Sequence, residues 1–188
     1  MHISDLPPQL QQRLQAELKA GESLSWIGQP NPKRYMRSGF KSWFFYVPWT
    51  AFSLFWIAVA SGFRLPNFTD GWSFFPFFGV PFLLIGLGGL SSPLWLHRKA
   101  QSIVYAITNQ RAISIEGSRS ITVKSYRASD IANIERTEHQ DGSGDLVLQT
   151  ERYKDSDGDQ QSRQHGFFAI DQVRHAERFI TSLRANHA

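Results

Sequence analysis

The chain has 188 residues, a formal net charge of +4 and no cysteine, which excludes disulfides, thiolate metal ligands and a cysteine nucleophile together. The charge is unevenly spread: residues 1–41 carry six basic and three acidic side chains, residues 42–97 one of each, and residues 98–188 thirteen basic and twelve acidic. A nucleic-acid surface needs Lys and Arg gathered on a folded face, and the nearly neutral C-terminal half does not supply one.

In chain order, the first predicted element is a short amphipathic helix in "SDLPPQLQQRLQAELKAGE". Leu6, Leu10, Leu14 and Leu18 recur every four residues behind a Pro pair suited to a first turn, and Gly21 ends the run. Its only cations are Arg13 and Lys19, among several glutamines, so the stripe is expected to pack against protein, as a partner-binding stripe, rather than lie on a membrane. Pro30 and Pro32 disfavour helix in the following "SWIGQPNP", which reads as an extended segment and turn. Residues 1–41 are expected to form a cytoplasmic arm.

Two uncharged runs follow, Ser42–Phe63 and Gly71–Leu96. At about 1.5 Å per residue each matches a hydrocarbon core of about 30 Å. They predict a two-helix transmembrane hairpin over residues 42–97, with spans near 42–63 and 73–96. A soluble hairpin apolar on all sides would need more protein to cover it than the remaining, mostly polar residues provide. Trp43, Trp72 and Trp95 sit near the span ends as interface anchors, and Pro48, Pro76 and Pro81 are expected to bend the helices. Lys33, Arg34, Arg37 and Lys41 before the hairpin, and Arg98 and Lys99 after it, outweigh Arg64 between the spans, which predicts both termini in the cytoplasm. The first forty residues carry no apolar core of signal-peptide length, so the first span is expected to serve as the uncleaved targeting signal. Neither span holds an Asp, Glu, Lys, Arg or His, so transport or conduction by this chain alone is not expected. Gly88 and Ser92, four apart, are candidate helix-contact positions.

From residue 101 the pattern changes to period two: Ile103, Tyr105 and Ile107, then Ile113 and Ile115, Ile121 and Val123, and Leu146 and Leu148. "TNQ", "EGS", "QDGSGD" and "KDSDGDQ" mark turns between the strands. Val173, Ala176, Ile180 and Leu183 then share a helical face behind Asp171, an expected N-cap. The fold class is therefore α+β, with a sheet of about six to seven strands over residues 98–188 covered by a C-terminal helix.

"YAITNQRAISIEG", "GSGDLVLQ" and "GFFAIDQVRHAERFI", with the earlier "LQAELKAGESLSWIGQPNP", resemble the bacterial pleckstrin-homology-like domains of membrane proteins. The resemblance implies a pleckstrin-homology-like barrel on the cytoplasmic face of the bacterial inner membrane and a non-enzymatic, accessory or scaffold role. Phosphoinositide-binding members of the wider superfamily use a basic loop between the first two strands, where this chain has only "TNQR".

No catalytic pattern emerges. "DSDGD" at 155–159 lacks the Gly and bidentate Glu of a calcium loop, His139, His165 and His175 lack metal-ligand spacing, and there is no GxSxG or GxxxxGK. Glu135 with Glu138, and Asp141 with Asp145, read as exposed hairpin carboxylates. The expected function is a membrane-anchored interaction module with no cofactor, metal, small-molecule substrate or nucleic acid, and with a protein partner or a second copy. The alternative is an anionic-lipid-headgroup binder using Arg98, Lys99, Arg111 and Lys124, and a membrane-associated enzyme is a further one.

Overall fold

A computed structural model describes residues 3–63, 75–117, 120–131 and 133–186. It is α+β and divides into two units: residues 1–35 with 98–188, and residues 36–97.

The first unit contains α1 (Pro8–Glu17), β1 (Leu24–Gly28), α2 (Pro32–Tyr35), six strands after residue 98, and a C-terminal helix. The strands are β2 (Ile103–Thr108), β3 (Arg111–Glu116), β4 (Thr122–Arg127), β5 (Glu135–Glu138), β6 (Gly144–Lys154) and β7 (Gln160–Ile170). They form two antiparallel sheets, in the orders β1-β2-β3-β4 and β5-β6-β7. The sheets do not close into one barrel; an isolated bridge, Pro30 to Ile170, joins them at one corner.

The extended segment of the N-terminal arm is thus a strand of the first sheet, pairing Trp26 with Ile107 and Gly28 with Tyr105. The expected division at residue 41 gives way to a discontinuous β-domain whose first strand precedes the apolar helices and whose second follows them.

Strands β2 and β3 are buried on both faces. Inward, Ile103, Tyr105, Ile107 and Ala112 meet Leu146, Leu148, Phe167 and Ile170 of the second sheet. Outward, Val104, Ala106, Ile113 and Ile115 meet Leu6, Leu10 and Leu14 of the arm. Of the expected apolar pair, Ile121 just precedes β4 and Val123 lies in it, 51% and 37% exposed, and Tyr126 supplies the core instead. The pairing of Val123 with Ile115 puts it on the outer face of the edge strand, and of Tyr126 with Ala112 on the inner.

Strand β7 crosses the inner face of the first sheet. Its Phe167 ring stacks on Tyr105 at 4.7 Å and on Trp26 at 5.7 Å, and the Tyr105 hydroxyl accepts the Phe168 N–H at 3.3 Å. Burial pushes the Tyr105 phenol well above its ordinary range, so it stays neutral. The helix α6 (Val173–Ala185) closes the remaining side with Val173, Ala176, Ile180 and Leu183, as its periodicity predicts. Its cap differs from expectation. Gln172, in the left-handed region, precedes the helix without a side-chain cap. The first free amide, on Val173, donates to the Gly142 carbonyl at 3.0 Å, while Asp171 accepts from Asn31 at 3.2 Å.

The second unit holds α3 (Phe40–Ala60), α4 (Gly79–Leu90) and the start of α5 (Ser92–Ala100). Two helical runs, Pro32–Ala60 and Phe75–Ala100, are long and apolar enough to cross a membrane. Helix α3 continues through Pro48, whereas the second run breaks at Ser91, two residues before Pro93.

Candidate functional site

The helical pair has a seam and an outer surface. Along the seam, a Cβ on Gly79, Gly86 or Gly89 would collide with Ile57, Thr50 or Tyr46 respectively, so glycine lets the backbone approach these side chains closely. Ser42 and Ser92 hydroxyls meet at 2.9 Å, so Ser92 lies on this seam. Gly88 is different: it points into open space, one residue away from the seam that Gly86 and Gly89 share. Thr50 and Ser53, buried in the pair, donate to the carbonyls of Tyr46 and Trp49 at 2.7 and 2.8 Å and so leave no bare hydroxyl.

The tryptophans contribute hydrogen bonds as well as bulk. Trp43 Nε1 donates at 2.9 Å to the Leu90 carbonyl beside the helix break, Trp49 Nε1 at 3.0 Å to Phe82, and Trp95 Nε1 at 3.0 Å to the Ser91 hydroxyl. The indoles of Trp43 and Trp95 therefore have protein partners rather than the wet N–H expected of anchors, and Trp72 lies outside the described residues. The outer surface is apolar. Phe44 is 92% exposed, and Phe45, Phe52, Phe55, Phe78, Leu84 and Ile85 are also exposed.

On the β-domain, the leucine stripe is not an open surface. Leu6, Leu10 and Leu14 are buried against the domain's own first sheet, and Leu18 lies beyond the last turn, half-buried, with an extended backbone. The partner-binding stripe is thus consumed within the chain: β2 and β3 carry apolar residues on their outer face, and α1 is what covers it.

The four candidate headgroup cations are not brought together as one site. Arg111 is spent inside the domain: its Nε donates to Glu22 at 2.7 Å, one terminal nitrogen to Glu22 and to the Glu17 carbonyl, and the other to Ser125. Lys99 lies 3.7 Å from Glu116, and Lys124 bonds His165 at 3.1 Å. Arg98 is exposed near the end of α5.

The Arg111 guanidinium holds the Glu22 carboxyl below its ordinary range, and the carboxylate raises Arg111 in return. A carboxyl depressed on folding contributes stability above its unfolded pKa, and that contribution is lost as pH falls through the folded value. Acid titration of urea stability is therefore expected to show a limb below the ordinary carboxylate range that Glu22→Gln removes, the variant being the less stable at neutral pH.

Three of the four hairpin carboxylates, Glu138, Asp141 and Asp145, have structural partners. Glu138 accepts from Arg174 at 2.7 Å and lies 3.5 Å from Arg136, Asp141 pairs with Arg34, and Asp145 accepts the Ala169 N–H at 2.7 Å. In the 155–159 turn, Asp155 accepts the N–H groups of Asp157 and Asp159 at 2.9 and 3.2 Å, which closes the loop on itself. Among the described residues no group of three His, Asp or Glu side chains is placed to hold a metal ion. A shallow recess of about 380 Å³ at the start of α6 is lined by Glu138, Gly142, Gln172, Arg174, His175 and Arg178, and its carboxylate is the one already shared by the two arginines.

No protein-family model matches the sequence, and neither the search of curated proteins nor that of solved structures finds a match.

Proposed function

We propose that the chain is a membrane-anchored interaction module: a helical hairpin holds a pleckstrin-homology-like domain at the cytoplasmic face, where it binds a protein partner or a second copy rather than catalysing a reaction. The observation that carries this reading is the pairing of β1 with β2 across the hairpin. Two strands of one sheet must lie on the same side of a bilayer, and an even number of spans between them satisfies that. The outward-facing phenylalanines and leucines of the helical pair favour hydrocarbon as their surroundings. The cations flanking the hairpin favour an inner position for the domain.

An internal resting place for the leucine stripe removes one reason to expect a protein partner, and the pairing of Arg111, Lys99 and Lys124 removes much of the case for headgroup binding. A hairpin of two helices with most of its apolar surface uncovered remains the motive for assembly.

Two measurements test the reading. A cysteine at Asn67 in the connecting segment is expected to react with an impermeant thiol reagent in intact cells, and one at Ser156, in the β6–β7 turn, only after permeabilisation; the reverse pattern would move the domain outside. Native mass spectrometry of gently extracted membranes is expected to find the chain as an oligomer or in a complex. A strictly monomeric species that binds acidic vesicles through Arg98 and Lys99 would replace the interaction reading with the lipid one.

A further inference from the structure

The β6–β7 hairpin is longer than the sandwich that holds it. Gly144, Leu146, Val147 and Leu148 are buried, as are Gly166, Phe167 and Ile170. Residues 149–154 and 160–164 are exposed throughout. Half the hairpin is thus a two-stranded ribbon, a structure marginally stable without a supporting layer, so its position depends on how its base is held.

One side-chain tie between the base and the other sheet is a histidine. His165 Nδ1 lies 3.1 Å from Lys124 Nζ, which reaches over from β4 of the other sheet, and His165 Nε2 lies 3.3 Å from a Glu151 carboxylate oxygen on β6. An ammonium group has donors and no acceptor, so Nδ1 must offer a lone pair. With the Nδ1 lone pair turned to Lys124, Nε2 is the nitrogen left to donate to Glu151.

We propose that His165 is a proton-sensitive latch for the ribbon: protonation of its imidazole releases Lys124 and frees the β6–β7 ribbon to move about its base. A proton on Nδ1 would set an N–H against an ammonium at hydrogen-bond distance, so Lys124 must withdraw. Glu151 retains the imidazolium through Nε2, and so the ribbon keeps its histidine while losing its tie to β4. Arg163 stands opposite Glu151 in the β6–β7 ladder. Arg163 lies over the Tyr153 ring at 5.2 Å, and Glu116, on the inner face of β3 diagonal to Lys124, pairs with Lys99. Toward β1 and β2, the Pro30 bridge and the Tyr105 hydroxyl hold β7 without a titrating group in the physiological range.

Hydrogen exchange on the full chain in detergent tests this, with rates corrected for the intrinsic effect of pH. Between pH 8 and pH 5, the window in which imidazoles titrate, protection of residues 149–164 is expected to fall about tenfold while β2 and β3 keep theirs. His165→Gln can accept from Lys124 and donate to Glu151 at any pH, and its ribbon is expected to hold constant protection. Lys124→Met removes the opposing cation, and its ribbon is expected to be equally loose at both pH values. A wild-type ribbon indifferent to pH, or a wild-type response retained in either variant, would overturn the proposal.

Discussion

Replacing Leu14 with Asp is expected to unfold the β-domain rather than merely detach a partner. Leu14 is fully buried between α1 and the outer face of the first sheet, beside Val104, Ala106, Ile113 and Ile115. Leu14→Ala alone removes enough packing to cost about 3 kcal/mol. A carboxylate at the same place adds the cost of burying an unpaired charge, a further few kcal/mol on the order of the domain's whole margin. Leu18→Ala, past the helix end and half-buried, is expected to cost under about 1 kcal/mol. Urea denaturation of the detergent-solubilised chain, read by exchange of the β2 and β3 amides, separates these outcomes. If those amides stayed protected in Leu14→Asp while a bound protein was lost, the stripe would be an external docking surface after all.

The destination of that stripe was partly legible in the sequence. Period-two reading selects Ile103, Tyr105 and Ile107, yet Val104 and Ala106 between them are apolar too, and a strand apolar at both parities needs cover on both faces. One face is met by the second sheet and the other calls for an amphipathic element, which the arm supplies. Long-range pairing was harder to read. Nothing in "LSWIG" indicates that its partner lies beyond two apolar helices, because strand partners are chosen by the fold as a whole. The same limit applies to the cations. Arg111 looks available in sequence, and only the approach of Glu22 and the Glu17 carbonyl, both from the far side of the hairpin in chain order, shows it to be occupied. In the helices, composition marks the glycines but small-residue spacing alone selects Gly88, one step off the seam that Gly86 and Gly89 share.

That one-step difference gives the second large effect. Gly86→Leu is expected to force the helical pair apart, because its side chain would occupy the place of Thr50 and Trp49. Overpacking of this kind costs about 1–3 kcal/mol. The separation would also break the bond from Trp49 Nε1 to the Phe82 carbonyl, at about 1 kcal/mol more. Gly88→Leu meets open space and is expected to change the stability of the pair by no more than about 0.5 kcal/mol. Titration of the solubilised chain with a denaturing detergent, followed by tryptophan fluorescence, ranks the two. Equal loss in both variants would mean that the face carrying Gly88 is buried against something else, which would itself identify an assembly contact.

The placement of β1 ahead of the hairpin and β2 behind it also has a meaning for biogenesis. During synthesis α1 and β1 emerge first but have no sheet to join until residues 103–108 appear, after both apolar helices have been made. Their leucines and the Trp26 edge must wait in an unfinished state, exposed to chaperones and proteases, until both apolar helices and β2 have been made. On the reading proposed above, a chain that inserts only one span strands its two halves on opposite sides of the bilayer, and the sheet can never form. Domain closure then acts as a proofreading step on membrane insertion: correctly threaded chains hide the arm, and misthreaded ones display it for degradation.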